Sequence, residues 1–66
     1  MDDAWLKVLS DGRTVKFTCQ EFTEDRAFIT AQIAGHEVVY SVILTKVKKP
    51  LSREEVESYF EHELSK

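Results

Sequence analysis

Cys19, His36 and His62 are the side chains best suited to hold a metal ion. They stand far apart, and none belongs to a Cys-x-x-Cys or His-Glu-x-x-His pattern that would bring ligands to one point. Catalysis would need a nucleophile beside an oriented base, or two carboxylates across a cleft. Cys19 alternates with Val15 and Phe17, so it points to an apolar face where a thiol stays protonated. The carboxylates fall on a helix, in turns or near the N-terminus, all places that meet water. These residues predict a non-enzymatic chain with no metal and no cofactor.

Two binding chemistries have more material. Aromatic rings interleaved with basic residues suit single-stranded nucleic acid, and Trp5, Lys7, Lys16, Arg26 and Phe28, with Lys46, Lys48 and Lys49 beside them, offer that combination. Charge opposes it. The chain carries a net charge of −3; residues 1–49 hold seven basic and seven acidic side chains, and residues 50–66 hold two and five. The excess of acid lies on one helix, where Glu54, Glu55 and Glu57 also complement the helix dipole. The second chemistry is protein association through Trp5, Leu9, Phe28, Val39 and Ile43, large apolar groups of the kind that anchor interfaces. Association with a protein partner or as a homodimer is the first expectation, and nucleic-acid binding the alternative.

The elements that must position these residues are legible in the spacing. Ser52 and Glu55 form a capping box, with Leu51 able to staple onto Val56, and Val56, Tyr59, Phe60 and Leu64 recur at helical spacing, predicting one amphipathic helix over 52–65. Four strand-like runs precede it, over 4–10, 13–20, 26–33 and 36–47. Asp11-Gly12 predicts a two-residue hairpin turn that pairs Val8 with Val15 and Leu6 with Phe17, placing Leu6, Val8, Val15, Phe17 and Cys19 on one face and Lys7, Lys16 and Thr18 on the other. A two-residue turn at Ala34-Gly35 pairs Ala31 with Val38, Ile29 with Tyr40 and Ala27 with Val42; a longer loop with a left-handed Gly35 shifts that register and presents Val39 and Ile43 instead. The run Val38–Leu44 is nearly continuous in apolar residues, as in a strand covered on both sides.

The expected fold is α+β: a four-stranded antiparallel meander with one C-terminal amphipathic helix across one face. Val56, Tyr59, Phe60 and Leu64 should meet residues such as Val15, Phe17, Ile29, Tyr40 and Val42. A chain of 66 residues makes one domain with a small core, so association is a natural source of added stability. A single cysteine excludes an internal disulfide, the N-terminus Met1-Asp2-Asp3-Ala4 lacks a basic or apolar leader, and no run reaches membrane-spanning length; the expected compartment is the cytoplasm.

The run from Phe28 to Val39, a strand, a glycine turn and an apolar strand, followed by an acidic helix, resembles a family of small bacterial sheet-plus-helix proteins of uncharacterised function. The shared residues are Phe28, Thr30-Ala31-Gln32, Gly35 and the valines, and the chain departs from the family in length and in the Asp11-Gly12 hairpin. The resemblance implies a fold, and no activity or site residues.

Overall fold

In the computed structural model, residues 2–48 and 50–65 are described. Four strands, β1 (Asp2–Val8), β2 (Thr14–Glu21), β3 (Ala27–Ile33) and β4 (Tyr40–Leu44), form an open antiparallel sheet in the order β1-β2-β3-β4. Two short helices follow, α1 (Arg53–Ser58) and α2 (Glu61–Leu64). The α+β meander matches the expectation. The single helix does not.

The first hairpin turns through three residues, Ser10-Asp11-Gly12. The Gly12 N–H donates to the Leu9 carbonyl at 2.9 Å, and the Leu9 N–H donates to the Arg13 carbonyl at 2.7 Å. Gly12 takes φ +92°, the left-handed step that closes a three-residue loop. One extra loop residue moves the pairing by one, to Trp5↔Phe17, Lys7↔Val15 and Leu6↔Lys16. Side chains alternate with period two, so this slip turns all of β1 over. Leu6 and Val8, expected in the core, face away from it, while Trp5 and Lys7 stand over Val15 and Phe17.

The second hairpin also departs from the two-residue turn. The His36 N–H donates to the Ile33 carbonyl at 3.0 Å and Gly35 has φ +86°, the positive value a turn of this kind places on glycine. Residues 36–39 then run outside the ladder, and pairing begins at Ala31↔Tyr40 and continues through Ile29↔Val42 to Ala27↔Leu44. The shift from the expected register is two residues. An even shift keeps faces, so Tyr40 and Val42 still lie with Ile29 and Ala31, and Ile43 stays with Phe28 on the opposite face. Val38–Leu44 is no doubly covered strand: Val38 and Val39 lie outside it, and β4 is a sheet edge.

Val15, Phe17, Cys19, Ala27, Ile29, Ala31 and Ile33 form the buried face of the central strands, and Val56, Phe60 and Leu64 close over it. Phe17 is the hub: its ring centroid lies 5.6 Å from that of Trp5 and 6.3 Å from that of Phe60. The capping box is present, with the Glu55 N–H donating to Ser52 Oγ at 3.1 Å and the Ser52 N–H donating to Glu55 Oε1 at 3.2 Å. The helix breaks after one and a half turns. Ser58 Oγ donates to the Glu55 carbonyl at 2.6 Å, and the N–H groups of Tyr59 and Phe60 reach back only three residues, to Val56 and Glu57. Tyr59, expected to pack inward, is 47% exposed.

Candidate functional site

Two surfaces carry the polar and apolar groups that could act on something outside the chain. The first lies where the helices meet β1. Glu57 is the centre: its Oε2 accepts from the Trp5 indole N–H at 2.8 Å and its Oε1 from Lys7 Nζ at 2.7 Å. Burial alone would raise the Glu57 carboxyl, but the hydrogen bonds from Lys7 and Trp5, with the charges of Lys7 and Arg53, outweigh it and hold the group below its ordinary value. The hydrogen bond to Glu57 in turn raises Lys7. One turn earlier, Arg53 grips Asp3 with two bonds, at 2.9 and 3.0 Å, and lies 5.1 Å from the centre of the Trp5 ring. The bond from Arg53 lowers the Asp3 carboxyl. At the far end, the Arg13 guanidinium donates to the Leu64 carbonyl, satisfying one end group of α2, and to Asp11 Oδ2 at 2.6 Å.

Beside this clasp runs an open groove of about 810 Å³ whose charged lining includes Lys7, Arg13, Glu54, Glu57 and Glu61. Both of those cations already bond within the protein, to Glu57, Asp11 and Leu64. Lys7 and Arg13 thereby link the sheet side of the groove to Glu57 and Leu64 of the helices. Among the described residues, no group of three or more His, Cys, Asp and Glu side chains gathers in a way that could hold a metal ion.

The second surface is the sheet face opposite the helices. Pairing brings Ala4, Thr18, Thr30 and Ser41 into one row and Asp2, Gln20, Phe28 and Ile43 into the next. The Thr18 and Thr30 hydroxyls hydrogen-bond across the centre. Leu6 (70% exposed) and Val8 (66%) mark one end of this face, and Ile43 (63%), opposite half-buried Phe28, marks the diagonal corner. Phe22, exposed, continues the same alternation past the end of β2, where its N–H donates to the Arg26 carbonyl.

The residues expected to form one association face are thus divided. Phe28 and Ile43 are neighbours on the uncovered face. Trp5, 9% exposed, is sealed beneath the helix, Leu9 packs partly against the core, and Val39 is exposed in the connection before β4. The basic and aromatic set divides further. Trp5 and Lys7 belong to the clasp, Lys16 and Phe28 to the uncovered face, Arg26 to the β2–β3 turn, and Lys46 and Lys48 to the stretch after β4; Lys49 lies outside the described residues. Leu6, Val8 and Phe22 were missed as surface groups. Reading Ser10-Asp11-Gly12 as a three-residue loop with a left-handed glycine would have found the first two.

Comparison with protein-family models, with curated proteins and with solved structures finds no match. Among the described residues, no helix is long and apolar enough to cross a membrane.

Proposed function

We propose that this protein is a non-enzymatic interaction module that associates with a second copy of itself through the uncovered side of its sheet. One observation carries the reading: Leu6, Val8, Phe28 and Ile43 share a face that no element among the described residues covers. Apolar side chains exposed at two corners of one face are costly to hydrate, and burial against another copy removes that cost. Size sets the strength. With strands about 4.8 Å apart and a rise of about 3.3 Å per residue, the face measures roughly 400–450 Å². A face-to-face pair would bury about 900 Å² in total, at the weak end of specific interfaces.

Nucleic-acid binding is the less favoured reading, because its aromatic and basic residues are dispersed over both faces and the flanking turns. The non-enzymatic part of the proposal rests on the same kind of dispersal: Cys19 is buried in the core, while His36 and His62 are exposed on separate segments. Sedimentation velocity at two protein concentrations tests the association. The average mass should rise with concentration, and Leu6→Lys combined with Ile43→Lys should hold the chain monomeric. Added salt should leave wild-type association nearly unchanged, since apolar contact is not screened. A wild-type chain that stays monomeric at millimolar concentration would overturn the proposal, and tight, salt-sensitive binding of a single-stranded oligonucleotide would favour the alternative.

A further inference from the structure

The two edges of the sheet are not equivalent, and their hydrogen-bond alternation can be followed residue by residue. The Ala34 N–H donates to the Thr14 carbonyl and the Phe22 N–H to the Arg26 carbonyl, both continuing the β2–β3 ladder. In an antiparallel ladder alternate residues bond to alternate sides. Even-numbered residues of β3 therefore face β2, and Ala27, Ile29 and Ala31 bond β4. Their partners Tyr40, Val42 and Leu44 turn inward. The backbone N–H and C=O groups of Ser41 and Ile43 then point out of the sheet. By the same alternation Ala4, Leu6 and Val8 point outward from β1.

The β1 edge is guarded. Its Ala4 N–H is taken by Asp3 Oδ1 at 2.9 Å, and Asp2, Asp3 and Lys7 set charges along the strand. Charged residues of this kind are how natural sheets discourage edge pairing. The β4 edge lacks them: Val38-Val39-Tyr40-Ser41-Val42-Ile43-Leu44 holds no charge, no proline and no glycine. The chain after β4 leaves that edge, for the Val47 N–H bonds the Asp25 carbonyl in the β2–β3 connection and the Leu51 N–H bonds Glu21 at the end of β2. Val42, on the helix side, remains 36% exposed there.

We propose that a second copy of this chain docks along β4, antiparallel and about a two-fold axis, joining two four-stranded sheets into one of eight. This rests on the self-association reading and places the contact between the copies at the sheet edge, beside the bare face. The outward groups are self-complementary: Ser41 of each copy faces Ile43 of the other, four backbone hydrogen bonds form, and the two Val42 side chains meet at the axis. The same pairing sets the Phe28–Ile43 corners of both copies side by side on one continuous face.

Proline at position 41 removes an outward N–H and leaves the bonds to β3 in place, a position where edge strands accept it. Ser41→Pro should weaken dimerisation about tenfold or more in sedimentation equilibrium, with the far-ultraviolet circular dichroism unchanged. Ala4→Pro, the matching change at an outward position of β1 outside the apolar set, should leave the dimer constant within about twofold. As a measurement independent of proline, Val42→Cys should give a disulfide-linked dimer on mild oxidation, because opposed residues of that pair type lie within bridging distance. Wild-type dimerisation that survives Ser41→Pro, with no cross-link from Val42→Cys, would overturn the β4 assignment and leave the association standing. Loss of dimer with Ala4→Pro alone would move the contact to β1. A monomeric wild type would defeat both readings.

Discussion

Glu57 ties α1 to β1, because one carboxylate accepts from both Trp5 and Lys7. Its lowered ionisation fixes the sign of a pH effect. A group depressed in the folded state contributes stability above its unfolded value, here near 4.5, and that contribution disappears as pH falls through the lower folded value. Asp3, lowered by Arg53, acts in the same direction. Glu57→Gln should cost about 1 kcal/mol at pH 7 and flatten the loss of stability below pH ~4.5, checked by urea unfolding at both ends of that range. Gly12 makes a different contribution. Its φ of +92° is strained for any L side chain, although a Cβ there would meet nothing within 4 Å. Gly12→Ala should therefore destabilise by about 1–2 kcal/mol through the backbone alone, measured by the same unfolding curves. Neither Glu57's two partners nor the burial of Trp5 was legible beforehand. Both depend on which way β1 faces, and that was decided by one residue of loop length.

Between Leu51 and Leu64 the sequence announces its start more clearly than its continuation. Capping is local chemistry, so Ser52 and Glu55 could be read from spacing, and Ser52→Ala should cost about 1 kcal/mol in thermal unfolding. The break at Ser58–Phe60 was not legible, because residues of acceptable helix propensity surround it and the tightening follows from the Ser58 hydroxyl and from docking. The stripe still gave the right anchors at Val56, Phe60 and Leu64, and failed at Tyr59. Phe60→Ala should remove about 3–5 kcal/mol, most of what a domain of this size holds, whereas Tyr59→Ala should change stability by less than about 0.5 kcal/mol. Circular dichroism melts of the two variants make that comparison directly. The strands repeat the pattern: their existence follows from alternation, and their pairing does not.

At the scale of the molecule, a sheet with helices on one side leaves the other side to water or to company. If a second copy covers it, association is linked to folding, and the melting temperature should rise by a few degrees for a tenfold increase in protein concentration, seen by calorimetry at two loadings. A melting temperature independent of concentration would separate stability from association. Composition, alternation and capping determined by themselves that this chain builds four antiparallel strands and a helical cover, because those signals act within a few residues. The tertiary structure alone decided that Trp5 is sealed in while Leu6 and Val8 look out, and that the most apolar run ends as an edge. The physical reason is parity: a strand's two faces exchange with a single residue of register, and register is set jointly by a turn, a ladder and the side chains waiting above the sheet.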